Sequence, residues 1–167
     1  MAPLIVLVTV TLLARLAGQF GASPLRDWAA AIRLGLAVMF CFTAAAHFTS
    51  MRADMVRMVP PVVPNPELMV TLTGISEVLG AIGLLVPRTR RAAGLALILF
   101  LIAVLPANIH AANAGVTLRG APPTPLIPRV VLQLLFITLI WWSAVRARST
   151  ARHVSRRDVS EPGSRIL

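Results

Sequence analysis

The sequence has no lysine, no tyrosine, one cysteine and only six acidic residues. A lone Cys41 excludes an internal disulfide and any Cys-x-x-Cys redox centre. It lies in an apolar run, where a buried, unreactive thiol is the ordinary expectation. Since all sixteen basic residues are arginine, the codon-level bias points to a GC-rich bacterial genome. There is no phosphate-binding glycine loop, no nucleophile elbow and no short-spaced histidine pair, so neither phosphoryl nor acyl transfer is indicated, and no metal or haem is expected. Charge itself is scarce, at 13% of residues, against about 25% in a soluble domain.

Apolar residues supply 57% of the 167-residue chain, and its mean hydropathy is +0.80. A single domain of this composition could not cover its own surface in water, and lipid is the solvent that suits it. The net charge of +10 would suggest nucleic acid in a soluble protein. Here the arginines flank apolar segments or sit in the tail, which is the pattern of membrane topology and anionic lipid, so no nucleic-acid partner is expected.

Five segments have the roughly 20 apolar residues that a membrane helix needs: about 3–20, 29–49, 67–86, 92–112 and 127–145. With the amino terminus outside, the cytoplasmic side carries Arg15, Arg26, Arg33, Arg88, Arg90, Arg91, Arg146, Arg148, Arg152, Arg156, Arg157 and Arg165. The outer side then has Arg52, Arg57, Arg119 and Arg129. This asymmetry follows the positive-inside rule and predicts a multi-pass cell-membrane protein with a cytoplasmic carboxyl terminus. Segment 3–20 has no positive stretch before it, so it reads as a retained helix and not as a signal peptide. Residues 146–167 read as a disordered, Arg-rich cytoplasmic tail.

The outer loop 50–66 is expected to hold a short interfacial helix, because Met51, Met55 and Met58 recur at helical spacing. Asn65 is the expected N-cap of the following helix, with Pro66 at its first position. Within the apolar segments, polar residues are costly and each needs a reason. Glu77 lies near mid-bilayer, on a face shared with Thr73, Gly74, Gly80 and Ala81 that permits close helix contact. His47, Asn108, His110 and Gln133 come from three other segments and fall in the outer half, with Glu77 as their floor. One residue from each of several helices at matched depth is how sites in helix bundles are built. Pro106 removes a helical hydrogen bond and is expected to kink its helix.

Several ordered motifs then resemble those of the DoxX-like membrane protein family. They are Ala-Ala-His47-Phe48, Met58-Val-Pro-Pro61, Thr73-Gly-Ile-Ser-Glu77, Gly83-Leu-Leu-Val-Pro-Arg-Thr-Arg-Arg91, Pro106-Ala-Asn-Ile-His110 and Pro128-Arg-x-x-Leu-Gln133. The resemblance covers about 29–145. It implies an all-α, four-helix membrane bundle, distantly similar to the vitamin K epoxide reductase arrangement. Here residues 1–28 would add one amino-terminal transmembrane helix. The cysteine-pair chemistry of that relative cannot transfer to a chain with one cysteine. Some DoxX-like proteins belong to quinone-linked or redox-stress complexes and others act as membrane chaperones.

The leading expectation is therefore a small membrane subunit of a redox system. His47, Asn108, His110 and Gln133 would bind a quinone or similar amphiphile, and Glu77 would relay its proton. No residue here carries electrons, so a membrane or redox partner protein is implied. The alternatives are a non-enzymatic scaffold or assembly factor, docking through the small-residue face of Glu77, and a small-solute or proton carrier. A carrier of this size would have to form a homo-oligomer.

Overall fold

The computed structural model describes residues 2–117, 120–121 and 125–146. Every regular element among them is helical. Helix α1 spans Ala2–Gln19, a 3-10 turn Ser23–Arg26, α2 Trp28–Ala46, α3 Arg52–Met58, α4 Pro66–Leu85 and α5 Arg90–Asn113. Helix α6 spans Leu126–Ile140 and runs on as a π-helical turn, Trp141–Arg146. Five of these are long and apolar enough to cross a membrane: α1, α2, α4, α5, and α6 with its π turn. The 20 residues of α4 rise about 30 Å, the thickness of a hydrocarbon core. Leu12, Leu79, Leu99 and Leu134 point outward and are more than half exposed. In water such a belt would drive aggregation, whereas in a bilayer it meets acyl chains. The chain is an all-α, multi-pass membrane protein.

Local chemistry sets the element boundaries. Asp27 caps α2, its carboxylate accepting the Ala29 and Ala30 N–H groups at 3.3 and 3.2 Å, two of the donors a helix start leaves unpaired. Arg26 Nε donates to the Gly18 carbonyl at 3.0 Å, Arg15 Nη1 donates to the Arg26 carbonyl, and the Arg15 guanidinium lies 4.5 Å from the Trp28 ring centre. Together these close the turn between α1 and α2. Pro66 opens α4 as expected. Asn65 holds the N-cap position but adopts a left-handed conformation (φ 50°) and its side chain caps nothing. It serves as a turning residue, because asparagine tolerates the αL region. The expected interfacial helix is α3. It rests against α4 and α5 with Met51, Met55 and Met58 half-buried, so it is attached to the end of the bundle.

Helix α2 is the hub. It touches α1 on one side, α4 on another, and α6 with its π turn on a third; α4 then packs on α5, and α5 on α6. The core is built from Leu36, Phe40, Leu84, Leu97, Ile140 and Ala144. These residues come from the middle of α2, the end of α4, the first half of α5, and the end of α6 with its π turn. The apolar core therefore occupies the half of the bundle that ends on Arg88, Arg90 and Arg91. The other half holds buried His47, Glu77 and Gln133, while Thr11, Arg33 and Ser143 are the buried polar residues on the arginine side.

Two expectations are corrected here. Cys41 is exposed on the outer face of α2 and not buried, because α2 turns Phe40, Ala37 and Ala44 inward and leaves Cys41 and Phe42 outside. Arg33, read as a topology marker at the membrane surface, is only 7% exposed. Its Nη1 donates to the Ser143 carbonyl in the π turn. The tail beyond Arg146 lies outside the described residues, as does Arg119.

Candidate functional site

Where α2 meets α4, the periodicities of both helices interlock. Thr43 and His47 are four residues apart on one side, while Val70, Thr73, Gly74 and Glu77 follow the i, i+3, i+4, i+7 pattern on the other. Gly74 makes the approach close: a Cβ there would fall 2.8 Å from His47 Cβ and 2.9 Å from Phe48 Cε2. His47 and Glu77 are both buried, at 7% and 8% exposure, and His47 Nε2 stands 3.9 Å from Glu77 Oε1. That separation lies within ion-pair reach and beyond a direct hydrogen bond.

The hydrogen-bond network assigns the histidine tautomer. His47 Nδ1 lies 2.8 Å from the Val70 carbonyl, which can only accept, so Nδ1 carries a hydrogen. Thr73 Oγ1 donates to the same carbonyl at 3.0 Å and sits 3.2 Å from Nδ1. The nitrogen turned to Glu77 is therefore Nε2, the basic one in a neutral ring. On the far side, Glu77 Oε2 is 2.8 Å from Thr43 Oγ1, which is also 3.0 Å from the Phe40 carbonyl. A hydroxyl has one hydrogen. If Thr43 gives it to Glu77, the carboxyl can be ionised. If Thr43 gives it to Phe40, the remaining Glu77–Thr43 bond needs a proton on Glu77. The site accommodates both proton states of Glu77 with heavy atoms in place.

Arg52 ties the site's ends together. Its Nη1 donates to the His47 carbonyl at 3.3 Å, and its Nη2 to the Glu67 carbonyl at 3.0 Å and Thr71 Oγ1 at 2.9 Å. The α5–α6 side of the bundle is organised separately. Asn108 Oδ1 accepts from Arg129 Nη1 at 3.4 Å, and Gln133 is buried and donates to the Leu101 carbonyl. Helix α5 runs through Pro106 without interruption, and Gln133 bonds the Leu101 carbonyl, next to the Ile102 carbonyl that Pro106 leaves without its helical donor. His110 is half-buried near the end of α5. Of the proposed residues, the structure brings His47 and Glu77 together; no described hydrogen bond links Asn108, His110 or Gln133 to that pair. Among the described residues, no three His, Cys, Asp or Glu side chains gather as metal ligands would.

A family model described as a domain of unknown function, DUF8561, matches residues 36–145. The chain belongs to this family. The DUF8561 region begins within α2 and ends in the π turn, so it contains the His47–Glu77 contact and the whole α5–α6 pair, and leaves α1 outside. No curated protein and no solved structure matches the chain. Within the DUF8561 region three further residues belong to the site, Thr43, Thr73 and Arg52. Thr43 had a signal: it stands one helical turn before His47, on the same face. Thr73 was noted for its small size and not for its hydroxyl. Arg52 offered none, because its reach across a loop depends on the path of the chain.

Proposed function

We propose that this protein is a small membrane subunit of a redox system, DoxX-like in its role, which takes a quinone or similar amphiphile at the polar half of its bundle. The observation that carries this reading is the buried His47–Glu77 pair with Thr43 behind it. A carboxyl and an imidazole held together in a membrane interior are expensive groups to keep, and intramembrane ionisable residues of this kind mark proton or ligand pathways. Quinone reduction consumes protons along with electrons. His47 Nε2 faces the carboxyl as a base, and the Thr43 hydroxyl can reverse its hydrogen as Glu77 changes state. Asn108 and His110 belong to the same end of the bundle and would contact the head group near its entrance. Electrons would come from a partner protein or a diffusible donor. The resemblance to DoxX-like proteins across 29–145 supports the same assignment.

In this reading the protein resides in the cell membrane, amino terminus outside and Arg-rich terminus in the cytoplasm, which places the His47–Glu77 pair in the outer half. The scaffold alternative invoked the small-residue face of α4. Gly74 is covered by His47 and Phe48, and Gly80 by Leu97, so that face is used within the chain and is not free for a partner. The carrier alternative has no comparable observation in its favour. Gentle extraction followed by analysis of co-purified small molecules tests the proposal. A bound quinone that is lost in Glu77→Gln or His47→Ala supports it. A quinone-free preparation that also fails to bind added short-chain quinone refutes it.

A further inference from the structure

A groove of about 240 Å³ runs between α1, α2 and α6, far from the His47–Glu77 pair, walled by Leu4, Leu12, Ile32, Leu135 and Leu139 among others. Its one polar wall residue, Thr11, does not face it. Thr11 Oγ1 is turned to Gly35 of α2, where a Cβ would lie 2.2 Å from it. The groove is thus an acyl-compatible surface inside a membrane. Each of its three walls leads to an arginine or to an arginine's partner. On α1, Arg15 follows Thr11 by one turn; on α2, Arg33 follows Ile32; on α6, Ser143 follows Leu139 by one turn, and its carbonyl holds Arg33.

Charge at this end is unbalanced. Arg15, Arg26, Arg33, Arg88, Arg90, Arg91 and Arg146 converge on it, and among the described residues the one acid there is Asp27. Both Asp27 carboxylate oxygens are engaged in capping α2. The Nε atoms of Arg15 and Arg90 are buried and have no hydrogen-bond partner. Two buried donors without acceptors, at an end of the bundle with a surplus of arginines, call for an anion. An apolar groove ending on that cluster calls for an anion attached to a hydrocarbon chain.

We propose that the groove and the arginine cluster form one site for an anionic glycerophospholipid of the arginine-side leaflet. One acyl chain would lie between α1, α2 and α6, and the phosphate would be held by Arg33 and Arg15. Basic pockets between transmembrane helices recognise anionic head groups on this principle, each arginine near the surface contributing about 1 kcal/mol, or about fivefold in affinity. The site is independent of the proposed redox role.

The test is native mass spectrometry and thermal unfolding of the full chain, delipidated in neutral detergent. Dioleoyl-phosphatidylglycerol or dioleoyl-phosphatidylcholine is titrated in, with glycerol phosphate as the soluble competitor. The expected result is retention of one phosphatidylglycerol at least about fivefold tighter than phosphatidylcholine, a rise in unfolding temperature with phosphatidylglycerol alone, and no displacement by glycerol phosphate. Arg33→Gln should remove the preference. Since Arg33 also bonds Ser143 and that variant could fold poorly, Leu135→Trp provides a second arm. It fills the groove from its lipid-exposed side and should release the lipid while leaving the arginines intact. Equal retention of the two lipids by the wild type would overturn the proposal. So would displacement by glycerol phosphate, which would mean a plain anion site, or undiminished phosphatidylglycerol retention in a folded Leu135→Trp.

Discussion

Replacing Glu77 by glutamine and by leucine separates what its contacts contribute from what its charge can do. The network around Glu77 gives the expected magnitudes. In Glu77→Gln, the amide oxygen can accept from Thr43, now at 2.8 Å from Oε2, and the amide N–H₂ can point at His47 Nε2, now 3.9 Å from Oε1. Both contacts survive with neutral partners, so stability should change by no more than about 1 kcal/mol, the net worth of a hydrogen bond. In Glu77→Leu, Thr43 still has the Phe40 carbonyl and His47 still has Val70, but the Thr43–Glu77 bond is lost and hydrocarbon replaces the polar neighbour of His47 Nε2. Removing the buried polar partner of these groups costs about 1–3 kcal/mol, and the similar volume of leucine adds little. Thermal or denaturant unfolding of both variants in one detergent measures the gap. At the same time, ¹⁵N NMR of the His47 ring should show hydrogen on Nδ1 in the wild type and in Glu77→Gln. A leucine variant as stable as the glutamine variant would refute the reasoning, because the contact would then contribute nothing. A glutamine variant destabilised by more than about 3 kcal/mol would refute it in another way, by showing that an ionised Glu77 is needed to hold a charged His47.

Further perturbations test other parts of the account. Gly74→Ala puts a methyl group 2.8 Å from His47 Cβ and should cost about 1–3 kcal/mol by forcing α2 and α4 apart; unchanged unfolding would mean the helices are not in that contact. Asp27→Ala removes the cap of α2 and should cost about 0.5–2 kcal/mol in the same assay, with Asp27→Asn recovering most of it. Reporter fusions at Arg90 and near Pro64 should report opposite sides, cytoplasm for Arg90 and outside for Pro64, and the reverse pattern would invert the proposed orientation.

Much of the fold was legible in the sequence because lipid imposes simple rules. A span must be long and apolar, so the five transmembrane helices and their connections follow from counting, and Pro66 marks the start of α4 as written. Depth was legible for the same reason: residue number fixes rise, so His47 and Glu77 could be assigned to one half of the bundle. Rotation about the helix axis was less legible. It depends on which faces pack, and that is why Asn108 and Gln133 share a half of the bundle with the pair but engage α5–α6 partners, and why no described hydrogen bond joins His110 to the pair. Arg33 illustrates the same limit. Its position near the start of α2 signals a surface charge, but α2 is the hub of the bundle, and its central place turns that side chain inward onto Ser143. Asn65 was right in place and wrong in mechanism, since its left-handed backbone takes the side chain out of capping geometry.

The central claim is that the His47–Glu77 pair exchanges a proton with a bound amphiphile. Infrared difference spectroscopy of the reconstituted protein with a bound short-chain quinone, recorded before and after an external donor reduces the quinone, tests it most directly. A protonated-carboxyl band should shift or disappear on quinone reduction in the wild type and be absent in Glu77→Gln. A reduction-induced difference spectrum without any carboxyl band, or one unchanged in Glu77→Gln, would contradict it.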